Sequence, residues 1–261
     1  MTYDIPGVHP DLDDYLRRWT EAAVAFREHA GGDLDVSYGA SDAERIDFFS
    51  SDQEPDALVL FFHGGFWVEG DRKAYSHLAA GPLAHGLSVG FVGYDLAPSV
   101  DLAAIVDQAS AAVGFAAERT SLPVVVAGHS AGGHLAAMAI ADETAPTSHG
   151  VTVSGVFDLE PFLELPLNGL LRLDPSTAER LSPVHLDPPP GATLLLAVGE
   201  GEPPEFEWQS RQIEDRWAAA GAQTMLLSLP GRHHLSVIED LADSEGTLAG
   251  LCRAAADRAI G

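Results

Sequence analysis

The chain has 261 residues, 46% of them hydrophobic, enough for one large core and read here as a single domain spanning residues 1–261. Its formal charge is −25, from 39 acidic against 14 basic residues with Lys73 the only lysine, so phosphate backbones and anionic membranes are repelled and neither nucleic acid nor membrane is expected as a partner. Cys252 is the only cysteine; it excludes an intramolecular disulfide, and in an Ala-rich segment it reads as a packed thiol.

The opening Met1-Thr2-Tyr3-Asp4 soon turns acidic and has neither the basic start nor the apolar core of a secretory signal. The longest apolar runs, 57–62 and 193–198, are strand-sized and too short to span a bilayer. The expectation is a soluble cytoplasmic protein acting on a small molecule, with a homodimer as its assembly.

Along 11–30, Leu12, Leu16, Trp19, Ala23 and Phe26 recur at spacings of three and four and predict a helix with one apolar face lying across the domain. Residues 34–38 and 45–49 read as an antiparallel hairpin at a sheet edge. Strands are then expected at 57–62, 88–94, 124–127, 150–156, 192–198 and 224–229, with helices at 74–85, 102–119, 131–142, 205–220 and 246–260. This alternation implies a mostly parallel sheet covered on both faces, with chemistry in the loops that follow the strands. The interval 159–190 breaks the rhythm. Its prolines exclude one long helix, its apolar residues exclude a disordered linker, and it reads as a short irregular cap over the site.

The most informative stretch runs from Val124-Val125-Val126 into Gly128-His129-Ser130-Ala131-Gly132, a buried strand entering a sharp turn with a serine at its apex and an Ala-rich helix behind it. Such a nucleophile elbow lifts Ser130 Oγ clear of the backbone and requires small neighbours, which Gly128 and Gly132 supply. The first strong strand ends in His63-Gly64-Gly65-Phe66-Trp67, where consecutive glycines let backbone N–H groups approach a ligand. The N–H groups of Gly65 and Phe66, with that of Ala131, are the candidate oxyanion hole for the charge that builds up in acyl transfer. His63 reads as an orienter of this loop.

A serine needs a histidine to take its proton, and in an α/β sheet with an elbow the acid and base follow the serine in chain order. Pro230-Gly231-Arg232-His233-His234 follows the last strand, and residue chemistry alone does not separate His233 from His234. The loop after the penultimate strand offers Glu200, Glu202 and Glu205 and no aspartate. Glu205 suits the start of the next helix, which leaves Glu202 as the acid and Glu200 in reserve. Asp158 competes as an acid or is a strand-end turn residue. The other histidines are scattered without metal-ligand spacing, so neither metal nor cofactor is expected.

These residues resemble the α/β-hydrolase superfamily and, within it, the kynurenine formamidase group with its esterase relatives. The resemblance rests on His63-Gly-Gly-Phe-Trp67, Gly93-Tyr-Asp-Leu-Ala-Pro98, Gly128-His-Ser-Ala-Gly-Gly-His134, Ser154-Gly-Val-Phe-Asp-Leu-Glu-Pro161 and Pro204-Glu-Phe-Glu-Trp-Gln-Ser210. It implies His234 as the base and places Glu202 where the group carries an aspartate. It implies a cofactor-free serine hydrolase in which Ser130 attacks, His234 shuttles the proton and Glu202 orients His234. The implied substrate is an aryl formamide such as N-formylkynurenine, with Ser130 transiently formylated and formate released. Phe66, Trp67, Phe157 and Phe162 are candidates for an aromatic substrate wall or for plain core packing. The rival readings are a carboxylesterase for small acyl esters and a binding protein that kept the fold without turnover.

Overall fold

Short runs rich in Val, Leu and Phe, separated by glycine turns, pair into one sheet of eight strands. The computed structural model describes Tyr3, Gly7 and residues 11–261, so Met1, Thr2 and Asp4 of the acidic opening lie outside the described residues. In chain order the main elements are α1 (Leu12–Ala30), β1 (Asp33–Ser37), β2 (Arg45–Phe49), β3 (Leu58–Phe62), α2 (Ala80–Ala84), β4 (Ser88–Val92) and α3 (Leu102–Thr120). The elbow half follows with β5 (Val124–His129), α4 (Ala131–Ala141) and β6 (His149–Val153). Two short helices, α5 (Asn168–Leu171) and α6 (Pro175–Arg180), precede β7 (Thr193–Gly199), α7 (Pro204–Ala219), β8 (Gln223–Leu229) and α8 (Thr247–Ile260).

The strand order is β1-β2-β4-β3-β5-β6-β7-β8. β1, β2 and β4 pair antiparallel, which is the expected edge hairpin, and every pairing from β4 through β3 to β8 is parallel. β3, β4, β5 and β7 are buried along their whole length, as strands covered on both faces must be. After β3 the chain crosses to one side to make β4 and to the other to make β5. That reversal opens the crevice where ligands of such sheets bind. Phe62 pairs with Gly128, so the loops leaving β3 and β5 emerge side by side.

Two elements depart from expectation. The stretch 74–85 forms turns of 3-10 helix, Arg72–Ala74 and Ser76–Ala79, before the five-residue α2. Gly81 there lies so close to the C-terminal region that a Cβ would stand 2.3 Å from Leu241 O. β6 stops at Val153 because Ser154 turns into the left-handed region, φ 51°. Cys252 is buried, and burial pushes its thiol up to about 12, in keeping with a packed, unreactive group. No helix among the described residues is long and apolar enough to cross a membrane.

Candidate active site

Ser130 joins β5 to α4 with φ 55° and ψ −120°, a conformation a non-glycine residue adopts only when its surroundings hold it there. Both flanking glycines are sterically required. A Cβ on Gly128 would lie 2.1 Å from Gly132 O, and one on Gly132 would lie 2.0 Å from Phe62 O. Ser130 N–H donates to Val153 O at 2.9 Å, which ties the elbow to the end of β6.

The loop after β3 is the second strained segment: Gly65, Phe66 and Trp67 all have positive φ, 118°, 51° and 60°. Gly65 cannot carry a side chain, since a Cβ would meet Glu69 O at 2.1 Å where Gly65 O accepts the N–H groups of Val68 and Glu69. Among the described residues, the N–H groups of Gly65, Phe66 and Ala131 donate to no protein acceptor, as donors reserved for a ligand would. The loop is braced from β4: Tyr94 Oη–H donates to His63 O at 2.7 Å, and Ala97 N–H donates to Trp67 O at 2.8 Å. His63 is stacked between Tyr75 and Tyr94, and burial holds it down to about 4, so it is a neutral brace.

Glu202 and His234 meet although 32 positions separate them. His234 Nδ1–H donates to Glu202 Oε2 at 2.7 Å, with both side chains buried. Glu202 Oε1 accepts from Gly199 N–H at 2.6 Å and Ser154 Oγ–H at 2.5 Å, so the carboxylate is fixed by three donors. Glu200 is exposed, and its carboxylate accepts from Gly231 N–H at 3.4 Å. Asp158 closes a turn, accepting from Glu160 N–H at 2.9 Å. With Nδ1 engaged, His234 presents Nε2 as its proton acceptor. The adjacent His233 turns away and meets Tyr15 Oη of α1 at 3.1 Å. Phe206 stacks on the His234 ring at 4.1 Å, and His129 Nε2–H donates to His234 O at 2.8 Å. Burial, with His234 alongside, keeps the His129 imidazole well below its usual range, hence neutral.

Ser130 and His234 open together onto a cavity of about 130 Å³. Gly64, Gly65 and Phe66 form one wall, and His129, Tyr75 and Leu235 contribute beside them. Leu12, Leu16 and Trp19 of α1 complete the lining. The aromatic wall is thereby corrected. Trp67, Phe157 and Phe162 are fully buried and none lines this cavity. Trp67 packs edge-on against His134 and Phe162, and Phe157 fills the space beside Gly155, where a Cβ would stand 2.3 Å from its ring. The segment 159–190 likewise contributes no residue to the cavity, because its apolar side chains are used in the core.

Sequence reasoning passed over Ser154, Phe206 and Gln209. Their signal lay in the two less familiar motifs. Gln209 Oε1 accepts the N–H groups of Phe157 and Asp158, both at 2.7 Å, which binds the second of those motifs to the first.

An elbow serine at the switch point, a strained glycine loop beside it and a buried His–Glu pair are the layout of an α/β hydrolase, and a family model described as alpha/beta hydrolase fold matches residues 59–182. Kynurenine formamidase of Danio rerio is 30% identical over 92% of this chain and 88% of its own, and that of Salmo salar is 31% identical with the same coverage. A crystal structure from Silicibacter sp. TM1040, provisionally labelled a thioesterase, superposes with TM-score 0.89 at 33% identity, covering 95% of this chain and 96% of its own. A thermostable carboxylesterase from a metagenomic library shares the fold, with TM-score 0.71 at 22% identity over 95% of each chain. The chain belongs to the kynurenine formamidase family of α/β hydrolases.

Proposed function

We propose that this hydrolase cleaves aryl formamides of the N-formylkynurenine type through a formyl-enzyme on Ser130. The observation that carries the reading is the buried 2.7 Å bond between His234 and Glu202, with His234 lining the same cavity as Ser130. His234 Nε2 takes the proton of Ser130 Oγ as the oxygen attacks the formyl carbon. Glu202 holds the imidazole tautomer and stabilises the imidazolium. The N–H groups of Gly65, Phe66 and Ala131 receive the oxyanion. Collapse of the tetrahedral intermediate passes the proton from His234 to the departing aniline nitrogen. Water, deprotonated by His234, then releases formate.

Small-ester hydrolysis is the second reading, favoured by a cavity of only about 130 Å³, which suits a short acyl group such as formyl or acetyl. The setting we propose is cytoplasmic, with the single sheet as one catalytic domain. The half-exposed edge strand β8, where Met225 is exposed, is one sheet edge available to a homodimer.

The test is hydrolysis of N-formyl-L-kynurenine beside p-nitrophenyl acetate by the protein and its Ser130→Ala variant. Formamide turnover that falls on the order of 10⁴-fold or more in the variant is expected. Turnover of the ester alone moves the protein to the esterases, and turnover of neither favours a binding protein.

A further inference from the structure

One charged residue stands on the wall beside the oxyanion loop. Among the described residues that line the cavity, histidines aside, Glu69 alone carries a formal charge, and neither lysine nor arginine is present. It is exposed, and its side chain takes part in no ion pair or hydrogen bond with a described residue. Its stem lies against Gly65: Glu69 Cγ is 3.1 Å from where a Gly65 Cβ would sit, and the carboxylate oxygens are two bonds further out. Its charge also reaches Tyr75 on the cavity lining, since burial and then Glu69 hold that phenol above its ordinary range.

A carboxylate at this place has a cost. The oxyanion that develops at Gly65 and Phe66 is repelled by a neighbouring negative charge, which slows acyl transfer for a neutral substrate. A substrate that brings a cation to Glu69 cancels that repulsion and gains an ion pair.

We infer that Glu69 is a specificity-determining residue that selects substrates carrying an ammonium group and no compensating carboxylate. The inference deepens the hydrolase reading and rests on it. For aryl formamides it ranks a side chain ending in ammonium above the zwitterionic amino acid, and both above an anionic formamidobenzoate. The absence of a basic residue on the cavity wall sets the order of the last two, and the charge of −25 on the chain acts in the same direction.

The experiment compares acetylcholine with its neutral isostere 3,3-dimethylbutyl acetate, and N-formylkynuramine with N-formylkynurenine and N-formylanthranilate. The cation is expected to be favoured about fivefold in kcat/KM over the neutral ester, through kcat as well as KM, and Glu69→Gln should bring that ratio to about one while Glu69→Asp restores part of it. An equal ratio in wild type, or a preference that persists in Glu69→Gln, overturns the inference. Ester preference without formamide turnover removes the formamidase reading and leaves Glu69 standing; formamide turnover indifferent to charge does the reverse. If nothing turns over, phenyltrimethylammonium binding by calorimetry decides, and equal affinity in wild type and Glu69→Gln overturns the assignment.

Discussion

Helix α1 and the segment 159–190 were both expected to cover the sheet, yet they are built in opposite ways. Of the nineteen residues of α1 only Trp19 and Ala23 are buried. Its polar ties lie at half-buried or exposed positions: Trp19 Nε1–H to Glu239 at 3.0 Å, Tyr15 to His233 at 3.1 Å, Arg27 to Ser76 at 2.8 Å and to Lys73 O, and Arg18 to Glu239 at 3.5 Å. The segment 159–190 buries Phe162, Leu171, Leu173, Ala178, Leu181 and Val184. It is also stitched by buried polar bonds, Ser182 Oγ accepting Leu159 N–H at 2.8 Å, Leu181 O accepting His134 Nε2–H at 2.7 Å and Pro183 O accepting Trp217 Nε1–H at 3.1 Å. The lightly packed element touches the cavity and the heavily packed one does not. A wall that must admit substrate belongs at the low-stability end of the molecule, and a segment packed into the core at the other.

Acidification should expose that difference most strongly. Burial holds His63 and His134 down to about 4, against 6.5 in the unfolded chain. Below pH 6.5 the unfolded chain therefore binds protons that the folded one refuses until about 4, so stability is lost as pH falls through that window. Urea midpoints at a series of pH values should fall across it. The slope should be shallower in His134→Gln, and an unchanged slope would mean that His134 does not hold the segment in the way described.

Gln209→Ala comes next. It strands the buried N–H group of Phe157 and the half-buried one of Asp158, a loss of about 3 kcal/mol that lowers Tm by roughly 6–12 °C in a chain of this size. KM should move little, since Gln209 is remote from the cavity wall; a large KM change with intact Tm would reverse the roles assigned to the two covers.

Leu16→Ser is the smallest effect. Leu16 is 40% exposed and lines the cavity, so its loss should leave Tm nearly unaltered while removing about 1 kcal/mol of apolar contact with substrate. KM for an aryl substrate should rise roughly fivefold, and an effect on Tm alone would make α1 a structural cover only.

The alternation of strands and helices, the edge hairpin and the elbow were legible because each rests on local physics: period, β-branching, and glycines where a Cβ would collide. Candidates for acid and base were legible as chain order. Glu202 was set apart from Glu200 by burial, and His234 from His233 by the direction each ring takes, which adjacent residues in a turn do not reveal. The wall of the site was misplaced for a related reason. Trp67, Phe157 and Phe162 follow strands at the correct edge of the sheet, and position along the chain does not say whether a ring leaving that edge faces solvent or core.

Sequence alone therefore determined the sheet, the elbow serine and the strained glycine loop after β3, since hydrophobic period and steric need act between near neighbours. Only the tertiary structure decided that α1 rather than 159–190 walls the cavity, that Ser154 and Phe206 hold Glu202 and His234, and that Glu69 stands beside Gly65. Those contacts join segments far apart in the chain, and their geometry comes from how the layers pack.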